Sequence, residues 1–89
     1  MAAVMTEDLQ HVRNRLAWQC RRGMRELDVL LNGFLEQRFE RLDACARDSF
    51  ARLLDYPDAV LLEALMGRMV PADKDVASIV QDIRHTAAP

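Results

Sequence analysis

Apolar residues recur three and four positions apart along nearly the whole sequence, which is the spacing of one face of an α-helix. No segment shows the alternation of apolar and polar residues that is typical of a half-buried strand. The sequence therefore predicts an all-α fold, a single small bundle of five helices. The predicted core faces are Leu9, Val12, Leu16 and Cys20; Leu27, Leu30, Leu31, Phe34, Leu35 and Leu42; Ala46, Phe50, Leu53 and Leu54; Leu61, Leu62, Leu65, Met66 and Met69; and Val76, Ile79, Val80 and Ile83.

Capping residues and helix breakers predict where these helices begin and end. The predicted boundaries are Thr6 to about Arg21 for helix one, a start near Met24 or Arg25 for helix two, an Asp43 cap for helix three, Pro57 at the first position of helix four with an end at Gly67, and a restart at Pro71-Ala72-Asp73 for helix five. Asn32 and Gly33, two poor helix formers inside helix two, predict a kink or a close helix crossing.

The 89 residues suffice for one small domain, residues 1–89, and residues 1–5 and 85–89 are predicted to fray. No apolar run approaches the ~18 residues of a membrane span, so no membrane insertion is expected. The first five residues are too short and too uncharged for a signal peptide. Cys20 and Cys45 lack CxxC spacing and are typical of reduced thiols in a cytoplasmic protein. The free protein is expected to be a monomer.

The stretch Arg21-Arg22-Gly23-Met24-Arg25-Glu26-Leu27-Asp28 changes from arginine to carboxylate across a glycine, between helices one and two. In one interpretation Gly23 ends the first helix, and the charges complement the dipoles of the two helices. In the other, Gly23 lets a second surface approach closely, the arginines bind carboxylates or phosphates, and Glu26 and Asp28 accept bonds from a partner's backbone or hold the arginines in place. The charge pattern alone leaves both interpretations open.

Trp18 lies about half a turn away from the core face of helix one, on a face that it shares with Arg15 and Arg22. Large aromatic side chains are commonly buried by a later helix. Trp and Arg are also enriched among the residues that dominate protein interfaces. The sequence therefore leaves two roles for Trp18, a core residue or an anchor for a partner.

The available side chains argue against catalysis by this chain. His11 and His85 each stand without a second ligand at metal spacing, and no GxSxG motif or phosphate-binding glycine loop is present. Neighbouring arginines favour the ionised forms of Glu26 and Asp28, which argues against a proton-donating pair. The sequence predicts a binding module with no catalytic residue, no metal and no tightly bound cofactor of its own.

The central stretch also resembles a known family. Arg22-Gly23-Met24-Arg25-Glu26 fits the RGxxE signature of the FAD assembly factors of succinate dehydrogenase, small proteins that assist covalent flavin attachment to the flavoprotein subunit. The resemblance runs from about Arg15 to Arg84 and includes Phe34, Phe50, Leu53-Leu54, Leu65-Met66 and Pro71-Ala72-Asp73. The chain departs from the family at Ala64, where related sequences often carry tryptophan, and at Gly33, where some carry proline.

This resemblance implies a five-helix bundle that binds the flavoprotein subunit of succinate dehydrogenase, and in many bacteria that of fumarate reductase, during maturation. It also implies that FAD resides in the partner, where the bond to the flavin forms. The motif and the residues beside it give the expected partner-binding set, which is Arg15, Trp18, Arg21, Arg22, Gly23, Met24, Glu26 and Asp28.

Two other functions fit parts of the pattern. A small helix-turn-helix protein would contact nucleic acid with Trp18 and with the arginines of this region, Arg13, Arg15, Arg21, Arg22 and Arg25. The formal net charge of -2 argues against this function, and Glu26 and Asp28 would repel phosphates beside the glycine. An inhibitor or antitoxin-like protein would use the same arginine and tryptophan face on an acidic partner. The residues alone discriminate poorly between that role and flavoprotein maturation.

Overall fold

Helices account for most of the chain in the computed structural model, which describes the backbone of residues 2–87 and the side chains of residues 9–87. The helices are α1 (Ala2–Gln19), α2 (Arg25–Arg38), α3 (Ala44–Leu54), α4 (Asp58–Leu65) and α5 (Lys74–Ala87), and one 3₁₀ turn, Phe39–Arg41, follows α2. No strand occurs between residues 2 and 87. The predicted all-α fold is confirmed.

Helix α5 lies at the centre of the packing, in contact with α2, α3 and α4, while α1 packs on α2. The rings of Phe34 and Phe50 meet in the core with their centroids 5.5 Å apart, within the range of favourable aromatic pairs. Most of the predicted apolar faces point into this core, as helical periodicity requires. The buried apolar side chains are Leu16, Cys20, Leu27, Leu31, Phe34, Leu35, Phe39, Phe50, Leu53, Leu54, Leu61, Ala64, Leu65, Val76, Ile79, Val80 and Ile83.

Most differences from the sequence prediction concern the first two helices, although Met66, predicted in the core, is also wrong, at 41% exposed. Helix α1 begins at Ala2 and ends at Gln19, so Thr6 lies inside it and is not its cap. Leu9, predicted in the core, is 39% exposed, because the packing of α1 begins further along the helix. Leu42 follows the 3₁₀ turn and lies outside α2. At Gly33 an added Cβ would meet no atom within 4 Å, so the predicted close helix crossing is wrong.

The chain termini were predicted to fray. Residues 2–5 belong to α1 and residues 85–87 to α5, whereas Met1, Ala88 and Pro89 lie outside the described residues. Within the described part, no helix combines the length and the apolar character needed to cross a membrane.

Aspartates cap two of the helices. The Oδ1 atom of Asp43 accepts a hydrogen bond from the backbone N–H of Ala46 at 2.7 Å, which confirms the predicted cap of α3. Asp73 caps α5 in the same way, at 3.2 Å from the N–H of Val76. Asp73 also pairs with Arg52, and so ties α3 to the start of α5. The backbone hydrogen bonds from Val76 and Asp75, followed by the charge of Arg52, lower the pKa of Asp73.

Gly67 ends α4, as predicted. Its φ is +79°, and two backbone bonds close the helix, from Gly67 N–H to Ala64 O at 3.1 Å and from Arg68 N–H to Glu63 O at 2.8 Å. This is the Schellman arrangement, in which glycine tolerates the positive φ that other residues avoid. A Cβ at Gly67 would lie 2.6 Å from Nη2 of Arg84, at the flexible end of that side chain.

Candidate functional site

Helices α1 and α2 are joined by residues 20–24, which we call the corner. Gly23 has a φ of +80°, and Met24 is the extended N-cap of α2 without a side-chain capping bond. An ideal Cβ built on Gly23 would meet no atom within 4 Å. The predicted glycine turn is therefore confirmed, and the space above Gly23 is open to another molecule.

Arg22 ties the corner to a distant part of the fold through a side chain that is only 16% exposed. Its Nε donates to Oδ1 of Asp58 at 2.8 Å, and its Nη2 donates to the carbonyl oxygen of Tyr56 at 3.0 Å. Its Nη1 donates to the carbonyl oxygen of Gln19 at 2.8 Å, at the end of α1. The planar guanidinium thus bridges the end of α1 and the turn between α3 and α4.

Asp28 closes the corner from the other side. Its Oδ1 accepts a hydrogen bond from the backbone N–H of Arg22 at 2.7 Å, and its position in the first turn of α2 favours a negative charge. The thiol of Cys20 is fully buried, and burial raises its pKa to about 12. The positive charge of Arg22 lowers the pKa of Cys20, whereas the negative charge of Asp28 raises it further. Arg22 thus bonds both to Asp28 of α2 and to the carbonyl of Gln19 at the end of α1, so both neighbouring helices hold the corner.

Four of the predicted site residues in and beside the corner have exposed side chains, Arg15, Trp18, Arg21 and Glu26. Trp18 is 73% exposed, so the interpretation in which a later helix buries it is wrong for the described residues. An open depression of about 440 Å³ lies beside Trp18, and its lining comprises Trp18, Gln19, Arg21, Arg22 and Asp58. A large aromatic surface next to an arginine is the composition of an interface anchor.

The eight predicted site residues divide into two groups. Five are exposed around the corner, namely Arg15, Trp18, Arg21, Gly23 and Glu26, and three are half-buried, namely Arg22, Met24 and Asp28. Met24 packs against the hydrophobic core, while Arg22 and Asp28 bond within the chain. Gly23 lies four residues beyond Gln19, the last residue of α1, so the interpretation in which it ends that helix is wrong. It takes the positive φ of the turn and leaves an open surface, and the binding role of the stretch stays a prediction.

Two of the three acceptors of the Arg22 side chain are not evident from the sequence. Asp58 is 36 positions away and the carbonyl of Tyr56 is 34 positions away. Asp58 reads in the sequence as an ordinary acidic residue in the first turn of α4, a place that acids prefer in any case. No local spacing connects it with Arg22, because the contact depends on how α4 packs near the end of α1.

The chemistry that the corner offers is that of binding. Gly23 allows a backbone to approach, Glu26 can accept hydrogen bonds, and Trp18 offers apolar area beside Arg21. Residues 9–87 contain no group of three His, Cys, Asp or Glu side chains that could hold a metal ion. The only thiol near the corner, among the described residues, is the buried Cys20.

Residues 14–87 match the sequence profile of a family described as "Flavinator of succinate dehydrogenase". The chain is 36% identical over 74 residues to the FAD assembly factor SdhE of Coxiella burnetii, covering 83% of this chain and 90% of the relative. It is 40% identical over 75 residues to that of Shewanella oneidensis, covering 84% and 92%. With that of Legionella pneumophila the identity is 41% over 73 residues, covering 82% and 91%. The similarity therefore extends over residues 14–87, and the matched residues include the corner.

Proposed function

The chain belongs to the family of flavinators of succinate dehydrogenase, and from that premise we propose that it binds the flavoprotein subunit and promotes its covalent attachment of FAD. The observation that carries this proposal is the corner itself. An open positive-φ glycine lies in the matched region, and its neighbour Arg22 is held by hydrogen bonds from its backbone N–H to Asp28 and from its side chain to Asp58. A surface fixed in this way is suited to bind a preformed site on a larger protein.

The proposed mechanism is selection of one arrangement of the flavoprotein. A protein that binds one conformation of its partner more tightly than others raises the population of that conformation by its differential affinity. The assembly factor would therefore hold the flavoprotein in the arrangement in which the flavin bond forms, without performing the chemistry. FAD would remain in the partner, and the flavoprotein of fumarate reductase would be a second partner.

The proposed contacts follow the two groups of site residues. Gly23 admits the partner's backbone, Glu26 accepts hydrogen bonds from it, and Trp18 inserts its indole ring, with Arg15 and Arg21 contacting acidic groups. The half-buried residues Arg22, Met24 and Asp28 shape this surface from within. We further propose that the free protein is a monomer of the cytoplasm, where its two free thiols, Cys20 and Cys45, would stay reduced.

The test is coexpression with the succinate dehydrogenase flavoprotein subunit of the same cell, with covalent flavin measured by in-gel fluorescence. We expect the wild type to raise the fluorescence and Glu26→Ala to abolish the gain. Glu36→Ala is the matched control, because Glu36 is also an exposed glutamate of α2 but lies between two and three turns beyond Glu26. Circular dichroism should show the same helix content for all three proteins.

Two results would contradict the proposal. If the flavoprotein is flavinylated equally with and without this chain and no complex can be isolated, the function is wrong, and the Trp18 face should be offered to other acidic proteins. If Glu36→Ala reduces flavinylation as much as Glu26→Ala, the corner is not the contact site.

A further inference from the structure

The turn between α3 and α4 holds the guanidinium of Arg22 by one edge. Nε and Nη2 of Arg22 point to Asp58 Oδ1 and Tyr56 O at 2.8 and 3.0 Å. These two acceptors flank Pro57, the N-cap of α4, whose ring fixes φ near its observed value of -58°. A planar fork that meets two acceptors on a stiff turn has one favoured orientation, and a lysine would lack this geometry.

Unlike the carbonyl oxygens of Tyr56 and Gln19, the carboxylate of Asp58 also compensates the positive charge of Arg22. The Arg22 side chain is 16% exposed and that of Asp58 is 39% exposed, so the ion pair is partly withdrawn from water. If the carboxylate is removed, a half-buried cation loses its counter-charge, which disfavours the position of Arg22. The guanidinium would then turn towards the depression beside Trp18, and the corner would lose its tie to α4.

We propose that Asp58 is a positioning residue of the corner. It sets the orientation of Arg22, and through Arg22 the backbone at Gly23, although it lies on another helix. The expected consequence is tighter binding of the flavoprotein, and this part of the inference rests on the proposed function. A corner that is already ordered loses less conformational freedom on binding than one that must be ordered by the partner.

The experiment measures the initial rate of flavinylation of purified apo-flavoprotein with FAD as the concentration of this protein is varied. For Asp58→Ala we expect the half-saturating concentration to rise roughly tenfold while the maximal rate stays unchanged, since one charge-assisted hydrogen bond of the ordered surface is lost. Asp58→Asn keeps an acceptor oxygen in the same place and should fall between the wild type and Asp58→Ala.

Asp73→Ala is the matched control for a merely structural effect. Asp73 pairs with Arg52 and is 37% exposed, close to the 39% of Asp58, but it lies between α3 and α5 and away from the corner. It also caps α5, so its loss should lower the melting temperature at least as much as that of Asp58. We expect Asp73→Ala to leave the half-saturating concentration unchanged.

A second readout needs no partner. In the wild type the Nε–H of Arg22 should exchange slowly with water in NMR spectra, and exchange should accelerate in Asp58→Ala but not in Asp73→Ala. Equal exchange in all three proteins would overturn the inference, as would equal half-saturating concentrations for the wild type and Asp58→Ala. A wild type that promotes no flavinylation would instead refute the proposed function, and the exchange rates would still decide whether Asp58 holds Arg22.

Discussion

Replacing Gly23 by alanine separates the conformational role of this residue from its role as an open surface. A positive φ costs an L-residue roughly 1–2 kcal/mol, while alanine restricts the unfolded chain and so returns roughly 0.4–1 kcal/mol. No atom lies within 4 Å of the new Cβ, so no steric cost is added in the free protein. We therefore expect Gly23→Ala to lower the free energy of unfolding by about 1 kcal/mol, a fall of roughly 4–8 °C in melting temperature for a domain of this size.

Gly67→Ala is the matched control, because Gly67 has almost the same φ, +79° against +80°, and lies at the end of α4. Its Cβ would displace only the flexible tip of Arg84, so its thermal destabilisation should be equal or somewhat larger. Flavinylation should distinguish the two variants. A methyl group placed in a packed interface typically costs ~1–3 kcal/mol, so Gly23→Ala should reduce flavinylation at subsaturating concentration by roughly tenfold or more. Gly67→Ala should support it normally.

The reasoning would be refuted if both variants lost flavinylation in proportion to their melting temperatures, because stability would then explain the effect. Gly23→Asn adds a further distinction, since asparagine accepts positive φ more readily than alanine. If Gly23→Asn recovers stability without recovering flavinylation, the space above the corner is what the partner requires. If it recovers both, the backbone conformation is the requirement.

Three further predictions follow from the described contacts. In urea titrations, Arg22→Ala should lower the free energy of unfolding by about 2–3 kcal/mol, because three side-chain hydrogen bonds are lost. Arg21→Ala is the control and should change it by less than ~0.5 kcal/mol. With a thiol reagent at pH 8, the exposed Cys45 should react at once. Cys20 should react only after unfolding, because burial shields its thiol and raises its pKa to about 12. Equal reaction rates of the two thiols would contradict the burial of Cys20. Trp18 is the only tryptophan in the sequence and is 73% exposed, so its fluorescence emission should resemble that of free tryptophan. The emission should shift to the blue when the flavoprotein binds. An unchanged spectrum in a verified complex would exclude Trp18 from the interface.

The parts of the fold that the sequence predicted are those that local chemistry decides. Helical periodicity placed Val76, Ile79, Val80 and Ile83 on the buried face of α5, because the spacing of apolar residues itself defines that face. The Asp43 cap and the end of α4 at Gly67 were predicted for the same reason, since each depends on a few adjacent backbone groups. The start of α1 was wrong because helix formation continued through Ala2–Met5, where the sequence carries no helix breaker.

The site was predicted only where its residues are adjacent in sequence. The central stretch located the corner and its exposed arginines, but it could not decide whether Trp18 was buried, since that depends on where the later helices pack. Nor could it separate the arginine that is held inside, Arg22, from the one that is exposed, Arg21. Arg22 bonds to Asp58 and to the carbonyl of Tyr56, which lie 36 and 34 positions away, so no local sequence spacing encodes the difference.

The stretch Arg22-Gly23-Met24-Arg25-Glu26 therefore combines two physical roles in neighbouring residues. The side chain of Arg22 forms hydrogen bonds with the turn that precedes α4, whereas Gly23 and Glu26 are exposed to solvent. A domain of this size has only a few kcal/mol of net stability, so loss of the ~2–3 kcal/mol expected from Arg22 reduces both the folded population and the order of the corner. Arginine variants of the motif should consequently show mixed defects in stability and binding, whereas Glu26→Ala should show a binding defect alone. Measuring both quantities for each variant is what assigns a residue to the interior or to the interface.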